Sequence, residues 1–238
     1  MRIIDTAVRT TAKLACLKSE GVTTIIRYYN FTNSTHLPEK RLERAEAQAI
    51  AAAGIKIGAV FQQGQNSASA FSDAQGFKAG RRAFTYARDE IGQPTGTGIY
   101  FSVDFDANTT QINDRIVPYF EGVRRAFNEE SGGGATYRVG VYGSGLVSKT
   151  LTAKGLIELT WLAMSRGFSG TRAAIREGAF HLNQVPPEKI LCSLDVDFND
   201  PNPARPDFGA FTLAVTHAEV GATPGRISLP MMVDPFGE

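Results

Sequence analysis

Gly98-Ile99-Tyr100-Phe101-Ser102-Val103-Asp104-Phe105-Asp106 is a short apolar, β-rich run that ends in two acids, and a helical pattern follows it from Thr110 to Glu130. A strand feeding a helix is the building unit of a parallel sheet. Working outward from this unit, similar runs recur at Arg2 to Asp5, Thr23 to Tyr28, Ile55 to Phe61, Tyr137 to Tyr142, Leu159 to Ala163, Phe180 to Val185 and Ile190 to Val196. Helical patterns separate the early ones: Thr11 to Glu20 stopped by Gly21, Pro38 to Ala53 by Gly54, Asp73 to Ile91 by Gly92, and Thr110 to Glu130 by three glycines. Eight strands joined by right-handed crossovers in 238 residues match the size of a (β/α)8 barrel.

The last third departs from that regularity. After Leu159 to Ala163 only Thr171 to Glu177 reads as helical, and Pro186-Pro187-Glu188 leaves no room for a helix before the eighth strand. The expectation is therefore an α/β, TIM-like barrel of (β/α)5β3 type, with thin helical cover over strands six to eight. A doubly wound open sheet is the competitor, because periodicity alone does not close a sheet. Phe77, Phe84, Ala87 and Ile91 form one helical stripe, and Ile112, Ile116, Phe120, Val123 and Phe127 another; both read as core faces. Pro118 marks a kink or a late helix start. The barrel is expected over residues 1–200. Residues 201–238 are expected to form a C-terminal extension, opened by a proline-rich linker, that covers the barrel bottom, binds a partner or stays mobile. No internal repeat is present, and Ser131-Gly132-Gly133-Gly134 reads as a surface loop.

With 42% hydrophobic and 21% charged residues, the chain has ample material for a packed core. Its net charge of +1 removes the electrostatic footprint of a dedicated nucleic-acid binder. Cys16 and Cys192 are too few for a disulfide framework or a cysteine-rich zinc module, and they leave the redox compartment open. The N-terminus lacks the apolar stretch of a secretory signal. No run of about 18 apolar residues offers a membrane span. The expectation is synthesis in the cytoplasm, with action at a cell wall after signal-independent export or lysis.

Chemistry concentrates at the strand ends, where parallel barrels keep their active sites. Asp5 ends the first strand, Asp104 and Asp106 the fourth, and Asp195 and Asp197 the eighth. Residues two apart on a strand share a face, so the acids are expected to converge on one mouth. Clustered carboxylates repel, one pKa rises, and a protonated acid then shares a site with an ionised one, as glycosidic cleavage requires. Set against this, a single Asp at a strand end is also a turn former or a helix cap. Grouped carboxylates also bind divalent cations, which keeps a metal-dependent hydrolase open as a rival reading.

The segments Ile25-Ile26-Arg27-Tyr28, Gly98 to Asp106, Val139-Gly140-Val141-Tyr142-Gly143 and Asp195-Val196-Asp197-Phe198 resemble the glycoside hydrolase-like domain family of unknown function 1906. That family is similar in turn to the family 25 lysozymes, muramidases of peptidoglycan with a (β/α)5β3 barrel. The resemblance spans about Ile3 to Asn199. It implies that Asp5 matches the first-strand Asp of the lysozymes and that Asp104-Phe105-Asp106 matches their fourth-strand Asp-x-Glu, with Asp106 in the place of the general acid. Asp is one methylene shorter than Glu, a departure that weakens the case for turnover more than the case for a sugar site.

Other groups fit a saccharide cleft. Tyr28, Tyr100, Tyr142 and Trp161 offer aromatic faces, Arg27 a guanidinium for a carboxylate or for substrate, and Gln62 and Gln184 hydroxyl partners; core packing and backbone satisfaction are the bland alternatives. His36, His181 and His217 show no metal spacing, and no cofactor or metal is expected. The leading expectation is a muramidase-like hydrolase acting on a peptidoglycan-type glycan. A carbohydrate-binding, envelope-associated module with little catalysis is the alternative, and the oligomeric state is left open.

Overall fold

A computed structural model of the chain describes residues 2–214. Eight strands close a barrel in sequence order. They are β1 (Arg2–Asp5), β2 (Val22–Tyr28), β3 (Lys56–Phe61), β4 (Gly98–Ser102), β5 (Arg138–Gly143), β6 (Leu159–Leu162), β7 (Leu182–Leu191) and β8 (Leu194–Pro201). The first five strands are followed by helices α1 (Leu14–Ser19), α2 (Arg44–Ala52), α3 (Asp73–Thr85), α4 (Thr109–Gln111) continuing into α5 (Val117–Ser131), and α6 (Gly145–Ala153). Beyond them only the short α7 (Thr171–Arg176) covers the barrel, so the (β/α)5β3 pattern holds and the open sheet does not. Gly21, Gly54, Gly92 and Gly132, read as helix stops, all take positive φ. Pro118 lies in the first turn of α5, where its missing N–H costs nothing.

The eighth strand requires a correction. Strands β1 to β7 pair in parallel, but β8 runs antiparallel to both β7 and β1. Ile190, expected to begin the eighth strand, belongs to β7 and pairs with Asp195 across a tight hairpin. Cys192 and Ser193 form its turn, both at positive φ (54° and 66°), as a two-residue hairpin with the sheet's twist requires. The prolines do not end β7; they sit where its register shifts between Val185 and Lys189, since neither has an N–H for the ladder. The second helix likewise starts at Arg44, six residues after Pro38, with Glu43 in extended conformation at its N-cap.

Alternation along the strands makes two cores. Outward residues such as Ile4, Ile25, Ile57, Phe61, Phe101 and Val141 pack beneath the helices. Inward residues Ile3, Ile26, Val60, Tyr100, Leu159, Trp161 and Leu182 fill the barrel with Phe208. Residues 202–214 run across the barrel's lower end. There Gly98 N donates to Gly209 O (2.8 Å), Ile57 and Phe211 exchange backbone hydrogen bonds, and the Tyr100 hydroxyl donates to Phe208 O (2.8 Å). The rest of the expected extension, residues 215–238, lies outside the described residues, as does His217. Cys16 of α1 and Cys192 of the hairpin turn form a disulfide across a sequence separation of 176. Among the described residues no helix is long and apolar enough to cross a membrane.

Candidate functional site

The inward face of each strand carries one more residue above the barrel core, and this upper layer is polar. Asp5, Tyr28, Gln62, Tyr142 and Gln184 each follow by two residues an inward position of their own strand, at Ile3, Ile26, Val60, Gly140 and Leu182. With Asp104 and Asp197 they line an open cavity of about 400 Å³ at the mouth. Trp161 forms its floor, stacked edge-on against Tyr142 with ring centroids 4.7 Å apart.

Asp5 and Asp197 are cross-strand partners in the antiparallel β1–β8 pair. They come to the same rim because β8 runs downward, so its N-terminal end stands beside the C-terminal end of β1. One amide joins them: Gln184 Nε2 donates to Asp5 Oδ2 (3.0 Å) and to Asp197 Oδ2 (3.0 Å). The two carboxylate oxygens are thus no more than about 6 Å apart. Asn199 Nδ2 donates a second bond to Asp5 Oδ2 (2.8 Å); Asn199 Oδ1 accepts from Trp161 Nε1 (2.7 Å), and Gln184 Oε1 from the Tyr142 hydroxyl (2.7 Å). Both amides are oriented by these donors, which fixes their N–H groups toward the acids.

Burial, reinforced by the charge of Asp197, pushes the Asp5 carboxyl up to about 7, with Asn199, Gln184 and Tyr28 opposing as hydrogen-bonding partners. Burial and the charge of Glu188 raise Asp197 to about 6. Asp197 Oδ1 is buried and has no hydrogen-bond partner among the described residues. Asp104 is also raised by burial, against the opposing effects of Gln62 and Lys40. Gln62 Nε2 donates to Asp104 Oδ2 (3.1 Å), while Gln62 Oε1 accepts from Lys40 Nζ (2.8 Å), which sits 4.5 Å from the Tyr28 ring centre.

Four expected site residues lie elsewhere. Asp106 is outside the cavity lining: its Oδ1 accepts from Ser169 N (2.7 Å) and its Oδ2 from Ser169 Oγ (3.2 Å), which pins the loop after β6. The strand ends at Ser102, so the two-residue alternation that carries Asp104 to the mouth does not extend to Asp106. Asp195 is exposed on the hairpin beyond the rim. Arg27 points outward beneath α2, fully buried, with Nε and Nη2 on the two oxygens of Glu46 (both 3.0 Å) and further bonds to Thr6 O and Glu39 O. Tyr100 lies below the floor.

The structure adds Asn199, Glu188 and Lys40. Asn199 was legible as the residue two beyond Asp197 on the same strand face; Lys40 read as part of the helix expected from Pro38 and Glu188 as the end of a proline stretch, and neither reading pointed to the mouth. His181 is a structural group, its Nδ1 accepting from Thr160 N (3.1 Å), and among the described residues no cluster of His, Cys, Asp or Glu is arranged to hold a metal ion.

Comparison with known proteins agrees with this architecture. Two proteins of Bacillus subtilis (strain 168) are similar to the chain: YbfG, 37% identical over 172 residues, and FadG, 31% identical over 162 residues. These matches cover 70% and 68% of this chain, but only 23% and 27% of the relatives, so the chain spans about a quarter of their length. The crystal structure of the Tat-secreted Mycobacterium tuberculosis protein Rv2525c, in complex with L-tartrate, superposes with a TM-score of 0.69 at 23% identity, covering 88% of this chain and 98% of that one. At that identity the likeness is one of fold. Residues 15–186, most of the barrel, match the family model, and the chain therefore belongs to the Rv2525c-like, glycoside hydrolase-like domain family.

Proposed function

We propose that the mouth of the barrel binds a saccharide, and that the chain hydrolyses the β-1,4 bond that follows an N-acetylmuramic acid unit in bacterial cell-wall glycan. The observation that carries this reading is the pair of carboxylates, Asp5 and Asp197, bridged by one amide and raised to about 7 and 6. Near neutral pH such a pair holds a single proton. Asp197, which lines the cavity, delivers that proton to the glycosidic oxygen as the bond to C1 breaks. Asp104 stands at the rim and stabilises the oxocarbenium-like centre, either alone or with the acetamido oxygen of the substrate. Water adds at C1 and returns its proton to the acid pair. Tyr28, Tyr142 and Phe168 supply apolar ring faces to the sugar.

The test is incubation with purified peptidoglycan and mass analysis of the released muropeptides. Asp5→Asn and Asp197→Asn are each expected to lower release by about 100-fold or more. Wild-type rates from either variant would remove the pair from the mechanism. One observation favours a second reading, a binding module with little turnover: Asp106, which takes the general acid's place in the resemblance to the lysozymes, is tied to Ser169 outside the cavity. In that case glycan is retained and no muropeptide is released. The Cys16–Cys192 bridge supports work in an oxidising compartment, outside the cytoplasm.

A further inference from the structure

Beside the cavity lies a second, open recess of about 530 Å³, walled by Arg166, Arg172 and Arg176 together with the Gly167 to Gly170 backbone. Phe168 lines both spaces, so the recess lies one residue away from the mouth. Among the described residues Arg2, Arg9, Arg81, Arg88, Arg124, Arg125 and Arg138 each have a carboxylate within 4.0 Å, whereas Arg41, Arg44, Arg82, Arg115 and Arg205 stand without one at other places on the surface. Among the described residues, none of the three recess arginines has one. Asp106 accepts from Ser169 N and Oγ and forms no ion pair with any of the three. Two of the three are nonetheless held in place. Arg166 Nη1 donates to Asn183 Oδ1 (3.1 Å), and Arg172 Nε donates to Arg166 O (3.2 Å); their other N–H groups have no hydrogen-bond partner among the described residues.

We propose that this recess is an anion subsite, which takes an oxyanion carried as a substituent on the glycan whose sugars occupy the Asp5–Asp197 cavity. The inference rests on the saccharide reading above and deepens it by naming an acidic substrate. The guanidinium fork matches a carboxylate or a phosphate ester in two-point contact, and three unneutralised forks in one recess place a local positive charge on a chain that is otherwise close to neutral. A neutral β-1,4 glycan uses the cavity alone, whereas an acidic one engages both spaces.

Binding of three immobilised glycans tests the idea: peptidoglycan strands with free carboxylates, the same strands after amidation of those carboxylates, and strands bearing phosphate esters in their place. Wild type is expected to bind the carboxylate strands at least about tenfold more tightly than the amidated ones, and the preference is expected to shrink with added salt. Equal gain from the phosphate strands identifies phosphate as a second source of the same contact. Arg172→Gln/Arg176→Gln is expected to lose most of this preference. Arg176→Gln, which removes no hydrogen bond among the described residues, is expected to lose part of it. A charge-matched control at the opposite end of the barrel, Lys56→Gln/Lys154→Gln, keeps it. Wild type that binds amidated and free strands alike, or an arginine variant with undiminished preference, overturns the subsite while leaving the saccharide site standing. Wild type that binds none of the three overturns both.

Discussion

A carboxyl group in the position of Asp5 gives up its hydration to the barrel interior and faces a second acid across the strand pair, so its neutral form is favoured. Its pKa of about 7 in the fold stands above the ordinary 3.8 of an unfolded chain. The associated stability is fully present below about pH 4 and is lost as pH rises through 7. At 1.36 kcal/mol per unit, wild type should lose about 4 kcal/mol over that window relative to Asp5→Asn, which mimics the protonated form. Urea midpoints of the two proteins from pH 4 to 8 measure it, and a pH-independent difference would contradict a raised Asp5. Arg27 belongs to the opposite case. Its ion pair with Glu46 is buried on both sides, so Arg27→Met strands an unpaired carboxylate at a cost of about 3–5 kcal/mol. Glycan binding should persist, since the guanidinium does not reach the mouth; loss of binding in a folded Arg27→Met would return it to the site.

Between elements, the tightest contact is that of α3 with α5. A Cβ on Gly76 would collide with the Tyr119 carbonyl, and one on Gly122 with the Asp73 carbonyl. Alanine is the better helix former by about 1 kcal/mol, yet Gly76→Ala should lower stability, because backbone cannot move aside as a flexible side chain can. A thermal midpoint at or above wild type would refute the close crossing. The same two helices bury Phe84 and Phe120. Phe84→Ala and Phe120→Ala should each cost about 3–5 kcal/mol in denaturant titration, through lost burial and a residual cavity. Their stripes were legible from helical spacing. The glycine crossing was not, since a glycine in a helix pattern reads equally as a weak point.

For the molecule as a whole, the disulfide ties the first crossover to the last hairpin, enclosing nearly the entire barrel in one covalent loop. Opening it should cost about 2–4 kcal/mol. Reductant should lower the unfolding midpoint of wild type to that of Cys16→Ser/Cys192→Ser, and the double variant should not respond to reductant. Equal midpoints with and without reductant would mean that the bridge carries no stability. Its target is the hairpin that presents Asp197 and Glu188, so loosening it acts on the mouth as well as on the fold.

Local pattern determined the first six strands, the helical crossovers after the first five, the thin cover of the last third and the presence of Asp5 and Asp104 at or just beyond strand ends. These are properties of a few consecutive residues: burial periodicity, glycine stops and the alternation of a pleated strand. Tertiary structure alone revealed the direction of β8, because Cys192-Ser193 lacks the Gly or Asn that marks a two-residue turn, and the run across it reads as one continuous strand. Closure of the barrel sets Asp197 opposite Asp5, brings Cys192 to Cys16 across 176 positions, and gives Gln184 two acids to bridge. It also separates Asp104 from Asp106, since the strand ends at Ser102, before both, and two-residue spacing no longer sets side-chain direction beyond it.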